Sequence, residues 1–110
     1  MNSLFEEQVS HLAEEHFLVL YWATQSEGVA RRYNITNCFD DLKFSGITRT
    51  KQTAMATVAA LDALRFVEVR DEGNRKNIYI TTHGAKALRQ LVLDQAFSPK
   101  PSLHLKGIAS

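Results

Sequence analysis

Two short runs of alternating apolar and polar residues, separated by a polar segment with a glycine, most constrain how this chain can fold. The runs read FVEVR at 66–70 and IYIT at 78–81, and the segment between them reads DEGNRKN. Alternation in β-branched and aromatic residues predicts strands, and a glycine-containing polar tip between two such runs predicts a β-hairpin. Because most of the other residues show helical spacing of apolar side chains, we expect a mainly α fold with one small β-hairpin.

A helix is predicted directly before the hairpin, from Thr48 or Thr50 to Leu64. Ser45-Gly46 precedes it as a tight turn, since glycine tolerates the left-handed backbone conformation. Apolar residues at three- and four-residue spacing share its buried face: Ala54, Val58, Leu61 and Leu64. The same rotation puts a second set of residues on the opposite, outer face: Arg49, Gln52, Ala56, Ala59 and Ala63.

Helical spacing also fills residues 2–25, which we expect to form one helix or, if the first half is separate, two. Asn2 or Ser3 can cap the start. The run FLVLYWA at 17–23 is apolar nearly all round. This predicts burial on more than one side, either in the domain core alone or also in a dimer interface. A short helix is expected after a cap at Thr36 or Asn37.

That short helix ends near Phe44, with Phe39 and Leu42 facing the core. A last helix is expected after a cap at Thr81 or Thr82, and it runs to about Phe97. Its apolar stripe consists of Leu88, Leu91, Val92 and Gln95 or Ala96. Prolines 99 and 101 stop it, so we expect a single domain over 1–97 and a flexible tail over 98–110.

Charge is distributed unevenly along the chain. Residues 1–27 carry five acids and no Lys or Arg, so the remainder holds all 13 basic residues and seven acids. This asymmetry indicates a basic working surface with an acidic N-terminal segment. Cys38 is the one cysteine, which excludes an intramolecular disulfide and fits a reducing compartment. With no spanning apolar run and no basic leader, we expect a cytoplasmic protein.

The sequence offers no support for catalysis. It has no glycine-rich phosphate loop and no nucleophile–base pair at a recognisable spacing. His11 and His16 are five residues apart, which does not place two metal ligands on one helical face. We therefore expect a protein that is not an enzyme, with no cofactor and no metal. A small-molecule effector is possible in principle but has no support in the sequence.

The order helix, helix, turn, helix, hairpin, helix resembles that of winged helix-turn-helix domains. Within that group, residues 12–97 are similar to MarR-like transcriptional regulators. Thr53-Ala54, Val58 and Leu61 match the apolar pattern of that family's second motif helix, and Phe66-Val67 match the bulky pair that opens its first wing strand. The run Ile80-Thr81-Thr82-His83-Gly84 is similar to the family's Leu-Thr-x-x-Gly. Arg65 replaces the usual glycine before the wing, which predicts a less tight turn and an arginine facing a partner.

The resemblance implies sequence-specific binding of double-stranded DNA by a homodimer, as in a transcriptional regulator. Helix 48–64 would enter the major groove, and the wing at 70–78 would lie on the sugar–phosphate backbone or in the minor groove. The terminal helices, 2–25 and 82–97, would form the dimer interface. No role at a membrane is expected.

Candidate DNA-binding residues fall into two groups. The helix group comprises Arg49, Thr50, Lys51, Gln52, Thr53, Ala56 and Thr57, and the wing group comprises Arg70, Asn74, Arg75, Lys76 and Asn77. Arg49 and Gln52 suit bidentate contacts to guanine and adenine, and Thr53 and Thr57 suit bases or phosphates. Thr48, Thr50 and Lys51 suit phosphate. Arg75 suits a narrow minor groove. Further phosphate contacts are expected from Arg31, Arg32 and Lys43.

Other interpretations are open at this stage. The protein could maintain plasmid or viral DNA by binding a centromere or an origin. It could also use a winged helix as a protein–protein interaction module, since an alanine-rich helix face also suits packing against another helix. The RKN sequence of the hairpin tip is also typical of a solvated turn. RNA binding is less favoured, because no aromatic stacking platform is predicted on an exposed face.

Overall fold

The computed structural model describes residues 3–27 and 32–105, and of Ser3 the backbone alone. Within these residues, helices and strands follow in this order: α1 (Ser3–Ser10), α2 (Glu14–Gln25), α3 (Ile35–Phe44), α4 (Lys51–Ala63), β1 (Val67–Glu72), β2 (Arg75–Ile80) and α5 (Thr82–Leu93). The mainly α fold with one antiparallel hairpin is confirmed. The expected cap at Asn2, the expected contact from Arg31 and the last five residues lie outside the described residues.

The N-terminal segment forms two helices because the chain is extended at Ala13, where φ is −100° and ψ is −177°. The N–H group of Ala13 donates to Nδ1 of His16 at 3.0 Å. This bond satisfies an amide at the start of α2 that no preceding helical turn could satisfy. Of the two interpretations of residues 2–25, the one with a separate first helix is therefore confirmed.

The central element of the core is α2. Its residues 17–20, Trp22 and Ala23 are buried, and it packs against α3, α4, α5 and β2. The run FLVLYWA is therefore covered by its own domain, as predicted for a segment that is apolar nearly all round. Among the described residues, α2 contributes no large apolar side chain to the surface.

The turn between α4 and β1 is tight, so the expectation of a looser turn at Arg65 is wrong. Arg65 takes the left-handed conformation, with φ at +66°. The N–H group of Phe66 donates to the carbonyl of Leu61 at 2.9 Å, and that of Arg65 to Asp62 at 3.0 Å. These two bonds define a Schellman motif, whose left-handed position glycine normally occupies. Arg65 thus keeps the geometry that a glycine would give.

The start of α5, just after β2, requires a glycine at position 84. A Cβ atom at this position would lie 1.8 Å from the carbonyl oxygen of Phe66. The Thr81 hydroxyl group accepts from Gly84 N–H at 2.9 Å and donates to the carbonyl of Arg65 at 2.6 Å. The threonine and glycine of the Leu-Thr-x-x-Gly pattern therefore hold α5 directly against the α4–β1 turn.

Helix α5 ends at Leu93 instead of near Phe97. A second Schellman turn follows, with Gln95 at φ +52° and the Ala96 N–H group donating to the Leu91 carbonyl. The buried residues of α5 are Gly84, Ala87, Leu88 and Leu91. Val92, predicted to face the core, is 54% exposed. The buried stripe of α5 is therefore narrower than predicted, because α1 and α2 cover only one side of α5.

Helix α3 is capped by Asn34, and the predictions of Thr36 or Asn37 as its cap are wrong. The Asn34 side chain accepts from the N–H group of Asn37 at 2.8 Å. Asn34 also pairs with Asn77 of β2 as an isolated bridge, and the Tyr33 carbonyl accepts from Ile78 N–H at 2.8 Å. The start of α3 is therefore attached to the hairpin.

The segment after α5 was expected to be flexible, but through Leu105 it lies against α2 and α3. Nε1 of Trp22 donates to the Lys100 carbonyl at 2.9 Å. The Ser102 hydroxyl group and the N–H group of Leu103, the latter at 2.7 Å, both donate to the buried carboxyl group of Asp41 in α3. The domain consequently extends beyond the predicted boundary at residue 97.

Asp41 is fully buried and joins three parts of the chain. Besides the two donors from the C-terminal segment, it accepts from the Tyr33 hydroxyl group at 2.5 Å. Burial raises the pKa of Tyr33 far above its ordinary value, so its hydroxyl group remains a donor. Burial likewise raises the pKa of the Cys38 thiol, which makes this cysteine a packed and unreactive side chain.

Candidate nucleic-acid interface

The N-terminal end of α4 projects unpaired polar side chains into solvent. Thr50 caps the helix, and its hydroxyl group accepts from Thr53 N–H at 3.1 Å. Arg49, Lys51 and Gln52 are exposed, and within the described residues no hydrogen bond or ion pair holds their side chains. These three side chains are therefore exposed and unpaired around the start of α4.

The outer face of α4 is almost flat. Ala56, Ala59, Ala60 and Ala63 are exposed, in agreement with the predicted helical rotation. Such short side chains let the helix backbone approach a partner surface closely. Thr53 is also exposed, although its hydroxyl group shares a 2.8 Å hydrogen bond with Thr50.

Thr57 does not belong to this surface, contrary to the prediction. It is 6% exposed, and its hydroxyl group donates to the Thr53 carbonyl at 3.0 Å. Thr48, expected to contact phosphate, is buried as well at 7%. Thr57 lies on the buried side of α4, and Thr48 precedes the helix. The hydroxyl group of each donates to a local backbone carbonyl, that of Thr48 to Thr50 at 3.3 Å.

The hairpin is longer and more regular than predicted. Pairing continues to Glu72 opposite Arg75, so the seven-residue polar tip reduces to a two-residue turn at Gly73-Asn74. Gly73 has φ +70°, which suits a glycine at the first central position of a hairpin turn. Arg75 and Lys76 are exposed on adjacent positions of β2, directly after the turn.

Asn77 was predicted to bind DNA, but it is 9% exposed and belongs to the framework of the wing. Its Nδ2 donates to Glu72 Oε1 at 2.7 Å, and its backbone pairs with Asn34. Asn77 was assigned to the hairpin tip because it is polar, as Asn74 is. Its burial comes from the third extended segment at Tyr33-Asn34, which no local pattern reveals.

Arg70 was also predicted to bind DNA, but it is engaged within the wing. Its guanidinium group lies 3.1 Å from Glu68 and 4.3 Å from the centre of the Tyr79 ring, and Arg32 stacks over the same ring at 4.6 Å. The hydrogen bond from Arg70 to Glu68 raises the arginine's pKa. A hydrogen bond from Tyr79, and to a smaller extent one from Asn77, lowers the pKa of Glu72. Glu72 thus belongs to the same cluster of polar side chains on the wing as Arg70 and Tyr79.

A groove separates α4 from the tip of the hairpin and reaches the start of α3. It has a volume of about 310 Å³ and is lined by Asn34, Ile35, Thr36, Lys51, Met55, Asn74, Arg75 and Lys76. No acidic residue is among these lining residues. The structure thus brings together four predicted residues, Lys51, Asn74, Arg75 and Lys76, around one basic cleft. We call it the α4–wing groove.

Two residues of the α4–wing groove were missed as binding candidates. Thr36 is exposed because Asn34 caps α3 in its place. Met55 is 41% exposed and lies one helical turn after Lys51. The helical rotation of α4 could have identified Met55, because it places this residue between the buried residues 54 and 58 and the outer residues 52, 56 and 59.

Other site types find no support among the described residues. No group of three or more His, Cys, Asp or Glu side chains is arranged to hold a metal ion there. No helix in this part of the chain is long and apolar enough to cross a bilayer.

Lys43, expected to contact phosphate, is exposed at the end of α3, with its ammonium group 5.8 Å from the Phe39 ring centre.

Solved structures share the overall fold of this chain. TubR from Bacillus megaterium pBM400 superposes with a TM-score of 0.67 and 23% identity, over 82% of this chain and 97% of that one. The fold is a winged helix-turn-helix. AF1382 from Archaeoglobus fulgidus superposes with a TM-score of 0.60 and 16% identity, over 81% and 94%. No family model and no curated protein sequence matches the chain.

In this fold, α3 and α4 form the helix-turn-helix, and the β1–β2 hairpin is the wing. At these identities the likeness is one of fold. Lys51 and Gln52 begin the second motif helix, and Arg49 directly precedes its Thr50 cap. Arg75 and Lys76 lie at the end of the wing. The candidate site thus lies between the start of α4 and the end of the β1–β2 hairpin.

Proposed function

We propose that this protein binds double-stranded DNA in a sequence-specific manner. The observation that carries the proposal is the α4–wing groove, where Lys51, Arg75 and Lys76 surround a cleft whose lining residues include no acid. A polyanion of fixed width suits such a cleft. An α-helix fits the major groove of B-form DNA, and a hairpin beside it can follow the adjoining backbone.

Base recognition falls to the start of α4 and to the residue that precedes its Thr50 cap. Arg49 and Gln52 are exposed and unpaired there, and they can form bidentate hydrogen bonds with guanine and adenine respectively. Ala56, one turn further along, permits close approach of the helix. Because the remaining outer face is alanine-rich, we propose that few bases are read by hydrogen bonding.

Phosphate contacts supply much of the affinity in this account. Lys51 at the start of α4 and Arg75 and Lys76 at the wing tip flank the groove on two sides. The free amides and the dipole of the α4 N-terminus also favour phosphate. Each phosphate that these groups neutralise adds about 0.9 to the slope of log affinity against log salt concentration.

We further propose that the protein acts as a homodimer through α1 and α5. Leu4, Val92 and Leu93 are 64%, 54% and 67% exposed on these helices, whereas α2 is enclosed in the core. The exposed acids Glu6 and Glu7 of α1 complement the exposed Lys86 and Arg89 of α5. A two-fold dimer would recognise two half-sites about 34–36 Å apart, one turn of the duplex.

The same DNA-binding chemistry can serve transcription control or the maintenance of plasmid or viral DNA. We propose transcription control as the first role. A recognised site that occurs once, as a palindrome beside a promoter, would support it. Tandem copies of the site within one replicon would support DNA maintenance instead.

The alternative of a protein–protein module draws on one observation, the exposed alanine face of α4. A partner helix could pack there at short range. This alternative predicts no retention of any duplex at low salt, and it predicts that Ala59→Glu abolishes partner binding. The DNA proposal predicts measurable non-specific duplex binding at low salt.

Selection from a random duplex pool, followed by substitution, tests the proposed function. Arg49→Ala and Gln52→Ala should each weaken binding to the recovered duplex by about 1–3 kcal/mol and relax preference at one base position. Lys100→Ala is the control, because it removes a partly exposed charge that borders neither the groove nor the proposed interface of α1 and α5. Unchanged affinity and preference in both α4 variants would show that α4 does not read the bases.

A further inference from the structure

Met55 differs from every other residue on the outward side of α4. Its neighbours there are alanine or polar, while Met55 is a long apolar side chain with 41% of its surface exposed. Leaving this much apolar surface in water has a cost, and a flexible thioether side chain adapts well to an external surface. Met55 is therefore suited to contact an apolar group of whatever binds this side of α4.

The position of Met55 identifies the kind of surface it would meet. It follows Gln52 by three residues and Lys51 by four, so it lies one turn deeper along α4 than the proposed base-reading side chains. It also lines the α4–wing groove, opposite Arg75 and Lys76. An apolar protein segment would meet three cations in this groove, whereas DNA offers phosphates to the cations and base edges to the helix.

Thymine is the one base that presents an apolar group in the major groove, its C5-methyl. A thioether is a weak hydrogen-bond acceptor, so Met55 gains little from the polar edges of the other bases. We propose that Met55 is a specificity-determining residue that contacts the methyl group of a thymine in each half-site. This inference rests on the proposed DNA-binding function and adds to Arg49 and Gln52 a third, apolar base reader.

Replacement of single thymines by deoxyuridine tests the contact, because it removes the methyl group and leaves base pairing intact. The duplex is the one recovered by selection with the wild-type protein, and each thymine is replaced in turn. At one thymine position per half-site, the wild-type protein should lose about fourfold in affinity, the value expected for one buried methyl group. Met55→Ala should bind the thymine and deoxyuridine duplexes equally at that position.

Two further variants separate the methyl contact from a general effect on α4. Met55→Leu keeps an apolar side chain and should retain at least half of the thymine preference on a logarithmic scale. Met55→Gln keeps the length of the side chain but not its apolar character, and it should lose the preference. Because Met55 is exposed, the thermal unfolding midpoints of these variants should stay near that of the wild-type protein.

The outcomes distinguish this inference from the function on which it rests. Equal sensitivity of the wild-type protein and Met55→Ala to every deoxyuridine replacement would overturn the role of Met55 while leaving DNA binding intact. A recovered site without a thymine in its half-sites would overturn it as well. If the wild-type protein enriches no duplex at all, the proposed function fails, and the inference fails with it.

Discussion

Arg65 has a backbone conformation that residues with side chains rarely adopt. Its φ of +66° lies in the left-handed region, at the position of the Schellman turn where glycine is strongly preferred. For an L-amino acid this conformation costs roughly 1–2 kcal/mol. The chain tolerates the cost because two backbone hydrogen bonds and the contact with Thr81 determine the turn.

Arg65→Gly should therefore stabilise the fold by up to about 1 kcal/mol, the strain relieved less the greater backbone freedom of glycine in the unfolded chain. Arg65→Ala keeps the strain and should not stabilise it. Urea denaturation of both variants measures the difference. If the alanine variant is as stable as the glycine variant, strain at this position is not the cause.

Two arginines of the wing, Arg70 and Arg75, differ in what already holds them. Arg70 is paired with Glu68 and stacked on Tyr79, whereas Arg75 is exposed beside the groove. Arg75→Ala should reduce the slope of log affinity against log salt by about one unit, since one phosphate contact is lost. Arg70→Ala should leave that slope unchanged. The two titrations use the same duplex, and a larger change for Arg70→Ala would contradict the assignment.

At the scale of elements, the start of α2 depends on a histidine. The N–H group of Ala13 donates to Nδ1 of His16, so this nitrogen must be unprotonated. Burial lowers the pKa of His16 below its ordinary value, although Glu15 opposes the shift. The unfolded chain therefore binds this proton more readily than the folded chain, and His16 contributes stability above about pH 6.5 that is lost as the pH falls below it.

Denaturant unfolding between pH 8 and pH 5 tests this dependence. The free energy of unfolding of the wild-type protein should fall across this range by more than that of His16→Ala. His11→Ala, which removes an exposed histidine from the α1–α2 turn, is the matched control and should retain the wild-type profile. Identical profiles for the wild-type protein and His16→Ala would contradict the account.

Elements whose structure is determined locally could be predicted from the sequence. Periodicity located α4 and its two faces, and alternation located the hairpin, because these patterns depend on neighbouring residues. The caps at Thr50 and Thr81 followed from the preference of threonine for that position. The cap at Asn34 was missed because three residues with a preference for that position lie within four positions of each other: Asn34, Thr36 and Asn37.

The candidate site divides in the same way. Exposure of Gln52 followed from helical rotation, and exposure of Arg75 followed from the hairpin, whereas Arg49 is exposed although it precedes the Thr50 cap and is not helical. Burial of Thr57 and Asn77 depends on segments that pack over them, and the engagement of Arg70 depends on a ring contributed by the other strand. Such tertiary contacts leave no periodic signal in the sequence.

At the scale of the whole molecule, the C-terminal segment completes the domain. It supplies two of the three hydrogen bonds to buried Asp41 and one to Trp22. The sequence did not predict this role, because the segment contains two prolines and has no regular spacing of apolar residues. An irregular segment packs through individual contacts, which leave no pattern in the sequence. The segment is attached to α3, the first helix of the helix-turn-helix, so it supports the element on which α4 rests.

Ser102→Ala should destabilise the protein by about 1–3 kcal/mol, because it removes a donor from a buried carboxyl group. Ser98→Ala, four residues earlier and exposed, is the matched control and should change stability by less than about 0.5 kcal/mol. Thermal or urea unfolding of the two variants measures the difference. Equal stability of the two variants would show that the segment does not hold Asp41.

The central claim is that α4 and the wing form one surface that binds duplex DNA. Titration of isotope-labelled protein with a selected duplex, followed by amide chemical shifts, measures this most directly. We expect the largest shifts at 49–56 and 73–76, with α2 unchanged. Shifts confined to α1 and α5, or no shifts at low salt, would contradict the claim.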